Sequence, residues 1–62
     1  MQDTEEAAAN YRRRADEMRA IARDLTDEES RKKLTDIADE YEELARLAVA
    51  ISKAVSKRAN SD

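Results

Sequence analysis

The stretch LTDEESRKKL, residues 25–34, decides the fold, because eight polar residues separate Leu25 from Leu34. On either side of it, apolar or small side chains recur at alternating intervals of three and four residues, which is typical of one face of an amphipathic helix. One straight helix would carry the first stripe onto Glu29, Lys32 and Asp36. The stripe restarts instead, and the sequence predicts two helices with a break near residue 26. The stripe positions are Ala8, Tyr11, Ala15, Met18, Ala22 and Leu25, then Leu34, Ile37, Tyr41, Leu44, Ala48, Ile51 and Val55.

The break carries a start signal for the second helix. Asp27 can cap that helix, whose first turn then holds Glu28 and Glu29 near the positive end of the helix dipole. An alternative frame uses Thr26 as the cap, with Glu29 three residues later completing a capping box. Three pairs of an acid and a base four residues apart are expected to stabilise the second helix, namely Glu28/Lys32, Glu29/Lys33 and Glu42/Arg46.

A short connection makes the two helices antiparallel neighbours. Facing residues then have numbers that sum to about 53, so that Ala15 faces Ala38 and Ala8 faces Ala45. Small side chains at these places let the helices approach closely. They belong to seven-residue ladders, Ala8, Ala15 and Ala22 on one helix and Ala38, Ala45, Ser52 and Ala59 on the other. The prediction is one all-α domain, 1–62, with helix one at about 3–25, a turn at 26–27 and helix two at about 28–59.

Composition limits how such a chain gains stability. A domain of 62 residues buries only about 60% of the surface of its unfolded chain. The sequence holds no Cys and no His, so disulfides and the common zinc ligands are excluded. Oligomerisation remains, and we expect the antiparallel two-helix hairpin to dimerise into a four-helix bundle. Neither a secretory leader nor a membrane-spanning run is recognisable, which predicts a soluble cytoplasmic protein.

A family resemblance covers residues 11–48. This part resembles a group of short uncharacterised alphaproteobacterial helical-hairpin proteins with the pattern Y-x-x-R-A-x-E-x-R-x-x-A, then D-x-E-x-R-x-x-L-x-x-I-A-x-x-Y-E-x-L-A-x-x-A. Relatives often carry Pro after the Asp, where this chain has Glu28. The resemblance implies an architecture and no site. The matching residues are Tyr11, Arg14, Ala15, Glu17, Arg19, Ala22, Asp27, Glu29, Arg31, Leu34, Ile37, Ala38, Tyr41, Glu42, Leu44, Ala45 and Ala48.

Charged clusters offer little chemistry. No nucleophile with a base is recognisable, so we expect no enzyme and no cofactor. We interpret the acidic face as solvated, with a weak site for a hard cation as the alternative. This face consists of Asp36, Asp39, Glu40 and Glu43. We interpret a basic side of helix one as locally paired through Arg12/Asp16 and Arg13/Glu17. This side consists of Arg12, Arg13, Arg14, Arg19 and Arg23. The alternatives there are an acidic protein partner or nucleic acid, and the net charge of −3 makes nucleic acid a poor candidate.

The segment LARLAVAISKAV, residues 44–55, is the most informative for function, because its apolar positions cover an arc too wide for one partner helix. The favoured interpretation is burial between helix one and a second copy of the chain. The alternatives are a membrane-surface helix over residues 44–59, with Lys53, Lys57 and Arg58 on anionic lipid, or a groove binder for another protein. The predicted interface residues are Tyr11, Met18, Ile21, Leu34, Ile37, Tyr41, Leu44, Leu47, Ile51 and Val55.

Overall fold

The computed structural model describes residues 3–60, with the side chains of residues 5–58, as a hairpin of two helices in contact. Helix α1 covers Asp3–Asp24 and helix α2 covers Glu28–Asn60. The two-helix hairpin predicted from the sequence is thereby confirmed. Helix α2 ends one residue later than predicted, and α1 ends one residue earlier, where the backbone N–H of Leu25 bonds to the carbonyl of Ala22 at 3.2 Å. That tighter turn ends α1 before Leu25.

Asp27 caps the start of α2. Its Oδ2 accepts hydrogen bonds from the Ser30 backbone N–H at 3.3 Å and from the Ser30 hydroxyl at 2.7 Å. The hydroxyl, and next the N–H, lower the pKa of the Asp27 carboxyl. The Arg31 N–H donates to the Asp27 carbonyl at 3.0 Å, which is the first bond of the helical ladder. Of the two capping frames, the structure forms the one that uses Asp27.

The seam between the helices consists of alanines. Ala8 is 1% exposed, Ala15 and Ala38 are fully covered, and Ala45 is 1% exposed. Ala8 and Ala45 belong to one buried cluster, as the predicted register requires. Across the described side chains, the buried hydrophobic residues are Ala8, Ala15, Ala22, Ala38, Ala45 and Ala48. The predicted ladder residue Ser52 is half-buried, and the Ala59 side chain lies outside the described residues.

Helix α2 extends beyond its partner helix. It has 33 residues against 22 in α1, and the molecule is 55 Å long. With facing residues summing to about 53, the first residue of α1 lies beside residue 50 of α2. Residues 53–58 are all exposed, as expected for a helix end without cover. We call residues 51–58 the overhang.

Candidate interaction surface

One side of the alanine seam is lined with apolar side chains. Tyr11 and Met18 follow seam alanines by three residues on α1, and Tyr41 precedes Ala45 by four on α2. The Tyr11 and Tyr41 rings stack across the helices, with centroids 6.1 Å apart and planes inclined by 27°. This stack shows that the apolar flanks of both helices lie on the same side of the hairpin, which we call the apolar side.

The predicted interface residues divide into two groups on this side. Tyr11, Met18, Leu34 and Tyr41 are half-buried beside the seam. The other six project further from the seam and stay open to solvent. Their exposed fractions are Ile21 49%, Ile37 39%, Leu44 41%, Leu47 51%, Ile51 55% and Val55 61%. Bulky apolar side chains therefore remain in water along much of α2.

Residues 44–55 show why one partner helix is insufficient. Ala45 and Ala48 are buried against α1, and Val49 is half-buried beside them. Leu44 and Leu47 lie on the same stretch and remain exposed. The apolar arc is thus wider than the surface that α1 covers, as the sequence predicts. No helix in the described part of the chain is long and apolar enough to cross a membrane.

The opposite side of the seam is polar and is held by one arginine. Arg19 follows Ala15 by four residues, so it lies across the seam from Met18. Its guanidinium donates to Glu42 Oε2 at 2.7 Å and to Asp39 Oδ1 at 2.9 Å. The hydrogen bond to Glu42 does most to raise the pKa of Arg19. The same hydrogen bond, followed by the arginine charge, lowers the pKa of the Glu42 carboxyl. We call this side the polar side.

Three of the four carboxylates of the acidic face pair with bases of the same chain. Asp39 contacts Arg19, Asp36 accepts from Lys32 Nζ at 3.4 Å, and Glu43 accepts from Arg46 at 2.7 Å. The hydrogen bond to Glu43 also raises the pKa of Arg46. Among the side chains that the structure describes, no group of three or more potential ligands is arranged to hold a metal ion.

Local ion pairing differs from the sequence prediction. The bridges of the described residues link Arg19 with Asp39 and Glu42, Lys32 with Asp36, and Arg46 with Glu43. Glu42 and Asp39 of α2 both pair with Arg19 of α1. Lys32 pairs with Asp36, four residues later, and not with Glu28, four residues earlier. Glu42 and Arg46 do not form a salt bridge, but their charges interact, and each shifts the pKa of the other toward its charged form. Within this part of the chain no salt bridge forms at the other predicted pairs, Glu28/Lys32, Glu29/Lys33, Arg12/Asp16 and Arg13/Glu17.

In comparisons with known proteins, no family model, no curated protein and no solved structure matches the chain. The resemblance of residues 11–48 to the alphaproteobacterial group stays a prediction.

Proposed function

We propose that this protein is a homo-oligomeric interaction module, in which two hairpins join their apolar sides to form an antiparallel four-helix bundle. The observation that carries the proposal is the contrast between the buried and the exposed side chains. Every buried hydrophobic residue of the described part is an alanine, whereas six bulky apolar side chains are 39–61% exposed. The larger apolar surface is thus the one that the chain leaves uncovered.

The energetics of the seam support this proposal. Burying one methyl contributes about 0.8 kcal/mol, whereas fixing the backbone of one residue costs about 1–2 kcal/mol. An alanine seam therefore offsets little of the cost of ordering two helices. A second hairpin on the apolar side would cover residues such as Leu44 and Ile51 without ordering more chain than each copy already contains. Dimerisation would therefore bury the bulky apolar side chains that one hairpin leaves exposed.

The proposed role follows from the kind of surface involved. Side chains such as Leu44, Leu47 and Ile51 suit helix-to-helix packing, and three of the four carboxylates of the acidic face are held in ion pairs. We therefore propose a scaffold or regulator without catalytic activity, with the chain itself as first partner and another protein as a possible second one. A cytoplasmic location remains part of the proposal.

Concentration dependence tests the proposal directly. The folded species should sediment at twice the 7.1 kDa mass of the chain at micromolar concentration. Because dissociation is coupled to unfolding, its melting temperature should fall over a dilution of about one hundredfold. A species of 7.1 kDa with a melting temperature that does not depend on concentration would contradict the dimer.

The overhang favours a second candidate function. Ile51 and Val55 are more than half exposed there, and Lys53 and Lys57 lie on the same helix end. A peripheral membrane helix combines apolar and basic residues in this way. Sedimentation with anionic vesicles, and with neutral vesicles as the control, separates the two functions. A monomer that sediments only with anionic vesicles would replace the interaction module by a membrane-surface binder through residues 44–59.

A further inference from the structure

We infer that the second copy lies antiparallel along α2, so that the overhang of each protomer covers the turn end of the other. This inference rests on the proposed dimer and specifies its geometry. The two α2 helices would pair with residue numbers that sum to 92, about a two-fold axis beside residue 46. Each overhang would then lie on the apolar side of the partner's turn end, and that turn end would cover the overhang that the overhang's own α1 does not reach.

The spacing of the apolar stripe permits this pairing. Positions 37, 41, 44, 48, 51 and 55 are separated by intervals that read the same in both directions along the helix. An antiparallel copy therefore sets Ile37 beside Val55, Tyr41 beside Ile51, and Leu44 beside Ala48. Each bulky side chain meets an apolar neighbour, and the small Ala48 accommodates Leu44. A parallel copy also matches the stripe with itself, so other features decide the direction.

Coverage of the overhang is the first of these features. Val55 lies beyond the described end of α1, and Ile51 and Val55 are 55% and 61% exposed. At the other end of the hairpin, Ile21 and Ile37 are 49% and 39% exposed on neighbouring helices. An antiparallel copy brings these two open surfaces together and makes a three-helix layer at each end. A parallel copy would group four helices at the turn ends and leave each overhang with only the other overhang beside it.

Charge is the second feature. Residues 26–43 contain eight acids and three bases, whereas residues 44–62 contain one acid and four bases. Antiparallel pairing sets the basic segment of each copy level with the acidic segment of the partner subunit. These charges lie on the outer faces of the bundle, so the attraction acts between whole segments and not between single side chains. Parallel pairing would instead align acidic with acidic and basic with basic segments.

Cysteine cross-linking tests the direction, because the wild-type chain has no cysteine. The variants Ile37→Cys and Val55→Cys should form a disulfide with each other when mixed, and neither should form a dimer disulfide alone. Identical positions in an antiparallel pair are 18 residues apart along the helix axis, about 27 Å, far beyond disulfide reach. Ala20→Cys mixed with Val55→Cys is the matched control, since Ala20 is exposed away from the stripe.

The outcomes separate this inference from the proposed dimer. Disulfides of each variant with itself, in chains that sediment as dimers before oxidation, would overturn the antiparallel direction and leave the dimer standing. Wild-type chains that sediment as monomers would overturn both. A spin label at Ser56→Cys, an exposed position outside the stripe, gives an independent reading that leaves the apolar residues intact. Labels about 30 Å apart support the antiparallel pair, and labels one helix spacing apart overturn it.

Discussion

The two sides of the hairpin share one alanine seam and differ in whether their side chains find partners within the same chain. On the polar side, Arg19 bridges to Asp39 and Glu42, so both partners of each ion pair come from the same chain. On the apolar side, side chains such as Leu44 and Ile51 meet water. The polar side is therefore complete in one copy of the chain. The apolar side becomes complete only when another surface covers it.

The largest effect is expected from a charge on the apolar side. Replacing Leu44 or Ile51 with Asp would place an unpaired carboxylate in the proposed interface, where no base is available to neutralise it. We expect loss of the dimer and of most helicity, measured by sedimentation and far-ultraviolet circular dichroism. Arg46→Asp, on the polar part of the same segment, is the control and should change little. A Leu44→Asp variant that remains a dimer with wild-type helicity would remove the apolar side from the interface.

An intermediate effect is expected in the seam that both sides share. Enlarging Ala15 or Ala38 to Leu should destabilise the hairpin by about 1–3 kcal/mol through overpacking, because neither alanine has exposed surface. Ala20→Leu, at an exposed position of α1, is the matched control and should be tolerated. Chemical denaturation of the three variants measures the difference. Two seam variants as stable as the wild type would show that the register of the helices is wrong.

The fold was accessible from the sequence because it depends on periodicity. The polar interval between Leu25 and Leu34 locates the turn, and the numbering rule for facing residues then pairs Ala8 with Ala45. The same rule predicts the uncovered end of α2. Each of these features needs only the rise and the angular period of a helix. Side-chain conformation does not enter them.

The ion pairs were less accessible, because they depend on how far a long side chain reaches. Facing residues have numbers that sum to about 53, which places Arg19 beside residue 34. Its guanidinium nevertheless contacts Asp39 and Glu42, one to two turns further along α2. Local spacing favoured Arg46 as the partner of Glu42 instead. A flexible arginine stem selects among several carboxylates, and the one signal in the sequence was the concentration of acids in residues 36–43.

The smallest effect is expected on the polar side and appears with pH. The pKa of Glu42 lies below its ordinary value near 4.5 in the folded chain, chiefly through the hydrogen bond from Arg19. The ionised carboxylate therefore favours folding. Its contribution is fully present above the unfolded pKa and is lost as the pH falls through the lowered folded pKa. The wild-type melting temperature should accordingly decline below about pH 4.5.

Glu42→Gln isolates this contribution, because glutamine keeps the shape of the side chain and cannot ionise. The variant should melt only slightly lower than the wild type at neutral pH, since exposed ion pairs stabilise little. Its melting temperature should also fall less steeply on acidification. Glu17→Gln, an exposed position on α1 without an ion pair among the described residues, is the control and should keep the wild-type slope. If the melting temperatures of Glu42→Gln and the wild type fell equally steeply on acidification, the ion pair between Arg19 and Glu42 would add nothing to the stability of the fold. The alanine seam alone would then hold the polar sides of the two helices together.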